Sequence, residues 1–152
     1  MRSLLYVLAL ITLAIACNKD KLETKPSLKL RSVSSSIVPI GGNLNVEFEF
    51  ADKEGDISDT MFVKKIRINR ITVPTIRDSF VLQIPKFNDK SRGIIELQLK
   101  YQNHLVSAIN PPSSGGNPPN LHDDTLIFKF ALRDKGKNIS DTVTSGPIVI
   151  VR

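Results

Sequence analysis

The sequence predicts an all-β domain, and three observations carry the prediction. Leu44, Val46, Phe48 and Phe50 alternate with Asn45, Glu47 and Glu49, and Leu126, Phe128, Phe130 and Leu132 repeat the same period. A period of two is what a half-buried strand needs, because successive side chains point to opposite faces. No stretch carries the i, i+3, i+4 apolar spacing of an amphipathic helix. Turn-forming residues recur about every ten positions and divide the chain into about seven short strands, the pattern of a β-sandwich. A small barrel or a jelly roll satisfies the same pattern.

Taken in order, the chain opens with Met1-Arg2, an apolar run from Leu4 to Ala16, and Cys17. That order of charged end, apolar segment and small residue reads as a secretory signal over residues 1–16. The run is thirteen residues, short of the roughly 20 that a helix needs to cross a bilayer. An exported chain therefore needs another attachment, and Cys17 is its sole cysteine. Residues 17–25 read as a polar tether and residues 26–152 as one domain. Leu28 and Leu30 alternate with Lys29 and Arg31 in a first strand, which ends at the turn Pro39-Ile40-Gly41-Gly42-Asn43. The strand from Leu44 to Phe50 runs into Asp52-Lys53-Glu54-Gly55-Asp56, where Gly55 supplies backbone freedom and carboxylates crowd one loop.

From Phe62 to Ile71 the alternation puts Phe62, Ile66 and Ile68 on the core face and Lys65, Arg67 and Asn69 on the other. Phe80, Leu82 and Ile84 form the next set, stopped by Pro85, and Ile95, Leu97, Leu99 and Tyr101 the one after. Residues 110–120 consist of turn formers and are expected as a mobile loop. Order resumes at Thr125. Asp134-Lys135-Gly136-Lys137-Asn138 is a hairpin turn, and Val143 with Ile148 to Val151 completes the last strand, Pro147 marking a bend or an edge.

Without residues 1–16 the chain has 136 residues, ample for one domain and thin for two. Loss of Arg2 takes the 21 basic residues to 20, against 15 acidic. A moderate positive charge suits an envelope surface rich in phosphate and uronic acid. No nucleic-acid motif or aromatic stacking face accompanies it, so no nucleic-acid partner is expected.

Leu13-Ala14-Ile15-Ala16-Cys17 resembles the lipobox of bacterial lipoproteins, with Ala14 smaller than the usual large aliphatic residue. The resemblance implies acylation of Cys17, for example by palmitate, and anchorage in an outer membrane. Asn18-Lys19-Asp20 resembles the export tag of Bacteroidetes surface lipoproteins, although Lys21 breaks its second acidic position. Cell-surface display follows from that likeness; an inward-facing outer-membrane lipoprotein is the alternative. Phe-Glu-Phe-Ala-Asp-Lys-Glu-Gly-Asp-Ile (48–57) and Phe-Ala-Leu-Arg-Asp-Lys-Gly-Lys-Asn-Ile-Ser-Asp-Thr-Val (130–143) together resemble the immunoglobulin-like or cadherin-like domains of such lipoproteins. This implies a single immunoglobulin-like β-sandwich, an architecture that hosts many functions.

Catalysis has little support. His104 and His122 are the only histidines, neither in a metal-type spacing, and both read as surface residues. No nucleophile elbow or phosphate loop is present. Asp52, Glu54 and Asp56, joined by Asp134 across the immunoglobulin-like end, are candidate oxygen ligands for Ca²⁺; the other reading is a solvated turn. Between the two, interleaved Lys53, Lys135 and Lys137 favour neutralisation of the acids by lysine over a metal. Lys65, Arg67, Lys129 and Arg133 are expected to share one outer sheet face, either an anionic-ligand stripe or a solvated surface. Asp-Thr-aliphatic sequences at Thr60, Thr125 and Thr142 resemble Bacteroidetes O-glycosylation sites and equally suit polar strand starts.

The expectation is a lipid-anchored cell-surface binding or adhesion module, not an enzyme, with an extracellular glycan as its ligand. The alternative is a structural lipoprotein subunit docked on an envelope protein. Anchorage is directly testable: Cys17→Ser should move the protein from the membrane to the soluble fraction, because acylation and not the leader holds it. A serine variant that still pellets with the outer membrane and resists salt would refute the lipid anchor.

Overall fold

The computed structural model describes residues 23–69, 77–106 and 110–152. The leader, Cys17 and the export tag lie outside the described residues. Nine strands occur among the described residues: β1 Ser27–Val33, β2 Ile37–Val38, β3 Asn43–Ala51, β4 Thr60–Arg67, β5 Arg77–Gln83, β6 Arg92–Lys100, β7 Asp124–Arg133, β8 Val143–Thr144 and β9 Ile148–Ile150. One wide helical turn, Tyr101–Leu105, follows β6.

Two sheets form. The smaller is β1-β3-β6; the larger runs β2-β9-β7-β4-β5, with β8 also paired to β7. All pairs are antiparallel except β2 with β9. This strand order, two faces closing on one core, is that of an immunoglobulin-like sandwich. The core is built as the alternation predicts. Leu44, Val46, Phe48 and Phe50 of β3 and Ile95, Leu97 and Leu99 of β6 face Leu126, Phe128, Phe130 and Leu132 of β7. The Phe48 and Phe130 rings meet across the sheets edge to face, 4.8 Å apart at 65°. Truncating either to alanine would cost about 3–5 kcal/mol.

Strand β4 departs from expectation. Met61, Val63, Lys65 and Arg67 face the core, while Phe62 and Ile66 are half-buried and Ile68 is exposed. The cause is register. Lys65 lies opposite Phe128 and Arg67 opposite Leu126, and residues directly opposite in a ladder share a face. The buried side of β7 runs from Asp124 through Leu126, Phe128, Phe130 and Leu132, so the matching face of β4 carries Lys65 and Arg67 inward, Arg67 against Asp124. Met61 and Val63 supply the apolar contact that Phe62 and Ile66 were expected to make.

The inward charges are compensated. Lys65 Nζ lies 2.9 Å from Asp78 Oδ2 and donates to the carbonyls of His104 (2.8 Å) and Leu105 (3.3 Å). Burial pushes the Lys65 ammonium down from its usual pKa, and Asp78 opposes the shift. Asp124, fully buried, receives Arg67 Nε on Oδ1 and Arg152 Nη2 on Oδ2, each at 2.5 Å. Arg67 Nη2 also donates to the carbonyl of Asn110. That contact ties the segment after residue 110 to β4, and the turn formers there fold back on themselves. Ser114 N–H donates to Asn120 O (3.1 Å), Asn120 N–H to Gly115 O (2.9 Å) and His122 N–H to Pro112 O (2.8 Å), closing a hairpin. Turn formers specify a change of direction, and cross-loop hydrogen bonds make it ordered.

His104 is not a plain surface histidine. It is half-buried, its ring stacks on Phe80 at 5.4 Å, and Nδ1 accepts the Lys100 N–H at 2.9 Å. Only an imidazole unprotonated at Nδ1 accepts that bond.

Two stability measurements follow. Asp124→Ala removes the carboxylate that meets the buried Arg67 guanidinium and the half-buried Arg152 and should lower unfolding free energy by about 3–5 kcal/mol. Asp141→Ala, at an exposed pair with Lys25, should change it by no more than about 0.5 kcal/mol; equal effects in urea titration would deny Asp124 its role. His104 is held below its ordinary pKa by burial first, then by Lys100 and Lys65. The unfolded chain therefore binds its proton first, and the stability this residue contributes is lost as pH falls below about 6.5. The urea midpoint should drop between about pH 7 and pH 5, and His104→Gln should flatten that part of the profile.

Candidate functional site

Two places gather chemistry-bearing side chains. The first is the end of the sandwich where β3 and β7 run out. Gly55 takes φ +74°, and a Cβ there would stand 2.9 Å from the Lys90 backbone nitrogen, so the turn after β3 needs glycine. The tight turn aims the N–H groups of Gly55 (2.7 Å) and Asp56 (3.1 Å) at Asp52 Oδ2. Across from it, Asp134 takes the Asn138 backbone N–H on Oδ1 (2.8 Å) and the Asn138 side-chain amide on Oδ2 (2.9 Å). Lys135 N–H donates to Asp56 O at 3.0 Å and joins the two turns.

The expected approach of Asp134 to Asp52 and Asp56 is present: a carboxylate oxygen from each lies within 4.8 Å of the others. Glu54 is exposed at the tip of the turn and does not belong to this group. The lysines do not play the part expected of them. Lys135 Nζ pairs with Asp89 (3.2 Å) and Lys137 Nζ with Asp59 (3.3 Å), while Lys53 is exposed. Lys137 instead joins Arg133 (2.7 Å) at Asp59, in a charge cluster apart from the three acids. Two unit charges at this spacing repel by about 3 kcal/mol or more at an effective dielectric of about 20. Asp52 is fully buried, and its Oδ1 has no hydrogen-bond partner among the described residues. Burial raises its pKa above the usual carboxylate range; the two backbone N–H groups oppose the shift, and Asp56 and Asp134 add to it.

The second place is the outer face of the larger sheet. Lys65, Arg67, Lys129 and Arg133 do not share a face: the first two point into the core, the last two outward. The expectation assigned β4 the wrong parity, for the register reason given above. The cation beside Lys129 is Lys64, its direct cross-strand neighbour. Neither lysine forms an ion pair among the described residues. Between them opens a groove of about 460 Å³ lined by Phe62, Ser79, Val81, Ala131 and Thr142 as well. Val81 is 54% exposed in it. Arg133 leans over the Phe62 ring at 5.4 Å and pairs with Asp59. Sequence reasoning missed Lys64, although in the Lys64-Lys65 pair only one side chain can face solvent.

The three threonines diverge. Thr60 is buried and its Oγ1 accepts from Arg133 Nη2 (3.1 Å), so it is not available as a glycosylation acceptor. Thr125 is half-buried within β7, and Thr142 is exposed at the rim of the groove.

No protein-family model matches this chain, and no curated protein does. Among solved structures, it is similar to a β-glucosidase from Listeria innocua at 13% identity and a TM-score of 0.39, covering 88% of this chain and 17% of that one. A β-glucosidase from Erythrobacter marinus aligns at 9% identity and a TM-score of 0.38, over 83% of this chain and 16% of its own. A sporulation control protein from Bacillus subtilis aligns at 9% identity and a TM-score of 0.37, over 84% of this chain and 50% of its own. The chain thus spans about a sixth of the glucosidases it resembles, and likenesses this distant carry nothing about its activity.

Proposed function

We propose that this protein is a lipid-anchored cell-surface binding module that holds an acidic extracellular glycan along the outer groove of the larger sheet. One observation carries the reading: Lys64 and Lys129 stand directly opposite each other without a carboxylate partner among the described residues. Like charges so placed destabilise a sheet, and a bound anion turns that cost into affinity. The chemistry around them suits a uronic-acid residue. Two ammonium groups meet its carboxylate by charge-assisted hydrogen bonds, the Ser79 and Thr142 hydroxyls can bond its hydroxyls, and Phe62 and Val81 offer apolar surface to the ring. The volume of about 460 Å³ falls within the range of small-ligand sites.

Binding, not turnover, is the reading for this groove. Its lining holds no carboxylate, histidine or thiol, so it lacks the pair of carboxyl groups that glycoside hydrolysis uses. A single site of this kind is weak, and a polymer engaging several anchored copies gains by effective concentration. The lipobox-like sequence at Cys17 supports placement at a membrane surface, where such a polymer is met.

Full-length protein should bind polygalacturonate and not a neutral glucan, and raising salt to about 0.5 M should abolish binding. Lys64→Gln with Lys129→Gln should weaken it at least tenfold, while Lys86→Gln, outside the groove lining, leaves it unchanged. Salt-independent binding, or binding that survives the double change, would remove the groove from consideration. Absence of polymer binding together with a stoichiometric envelope protein in membrane extracts would favour the structural-subunit alternative instead.

A further inference from the structure

We infer that Asp52, Asp56 and Asp134 form a site for a hard divalent cation, Ca²⁺ by preference, that staples the two sheets together at one end of the sandwich. The cluster alone would not carry this. The second observation is Asp52 Oδ1, a carboxylate oxygen shut away from water, without a hydrogen-bond partner among the described residues, on a residue 0% exposed. Such an atom has given up its hydration and gained nothing in the protein. A cation supplies what is lacking.

The oxygens are suitably free. Asp52 uses only Oδ2 for the turn N–H groups. Asp134 accepts one bond from Asn138 on each oxygen, and a carboxylate has about four acceptor positions. Asp56 is half-buried and reaches solvent, through which an ion can enter with its remaining waters. Of the cations close in sequence, Lys135 is engaged with Asp89, Arg133 and Lys137 with Asp59, and Lys53 is exposed. The donor set is all oxygen, which selects hard ions over zinc or copper.

Coordination flexibility favours Ca²⁺ among hard ions. Ca²⁺ takes oxygens at about 2.3–2.6 Å in adaptable geometry, whereas Mg²⁺ demands a near-ideal octahedron at about 2.0–2.1 Å. Carboxylate oxygens within 4.8 Å of one another therefore need less adjustment of the two turns to close on the larger ion. Asp52 and Asp56 follow β3 of the smaller sheet and Asp134 follows β7 of the larger. An ion between them would link the sheets where the core ends.

The test is direct titration of chelator-treated full-length protein in non-ionic detergent with CaCl₂ by calorimetry, paired with thermal unfolding in calcium and in chelator. One calcium per chain is expected, with a rise in Tm of several degrees at about a hundredfold excess over Kd. Asp56→Asn should weaken binding at least tenfold, and Glu54→Gln should leave it as in the wild type. Asp52→Asn keeps an acceptor for the turn N–H groups and should lose the ion while remaining folded. The same Tm in calcium and chelator with no calorimetric signal, or a calcium response retained in Asp56→Asn, would overturn the site. So would stabilisation by protons alone, seen as a Tm that rises on acidification and ignores calcium, since a proton shared by the three carboxylates would then hold them together.

Discussion

The pairing of β4 with β7 governs most of what is particular to this molecule. With Lys65 opposite Phe128 and Arg67 opposite Leu126, two basic side chains enter the space between the sheets. Each must then meet an anion there, because an unpaired buried charge costs several kcal/mol. Asp124 and Asp78 meet that demand, and the carbonyls of His104, Leu105 and Asn110 complete it. The helical turn after β6, the hairpin at residues 110–122 and the segment ending at Arg152 are all positioned by these few donors and acceptors. A shift of β4 by one residue would empty the network and put Phe62 inside in place of Val63.

The same strand β7 is bounded by two buried aspartates, and they are satisfied differently. Asp124, at its start, is bracketed by two guanidiniums. Asp134, just beyond its end, draws its hydrogen bonds from its own loop through Asn138 and faces two further carboxylates. One end of the sandwich is thus a closed ionic cluster and the other an acidic one into which no cationic side chain among the described residues is drawn. Ion networks of the first kind hold geometry more than they add net stability, while the second remains open to an external charge. That asymmetry places responsiveness to the medium at the acidic end.

Between those ends, the outward half of the β4–β7 ladder sets Lys64 beside Lys129. The groove proposed for glycan binding is therefore the other side of the register that buries Lys65. Burying one lysine of a consecutive pair exposes the other. The inner network and the outer groove are two consequences of one alignment, and a change that slipped β4 would abolish both.

Much of the fold was legible in the residues themselves. Strict alternation in β3, β6 and β7 marks the core positions, because an apolar side chain at every second residue has one low-energy arrangement. Gly55 among carboxylates marks the tight turn after β3, and the approach of Asp134 follows from the strand order of the fold class. What only the tertiary structure decided were the matters that depend on a partner strand. Phe62-Val63-Lys64-Lys65-Ile66-Arg67 has apolar residues in both parities, so its facing is set by the β7 side chains it pairs with and by the distant Asp124 and Asp78. Likewise, the lysines of the acidic end choose Asp89 and Asp59 because those carboxylates stand nearer in space. Local pattern determines whether a segment is a strand; which of its faces is buried, and which ions its charges meet, is settled by residues far away in the chain, since burial and Coulomb energy depend on distance through space.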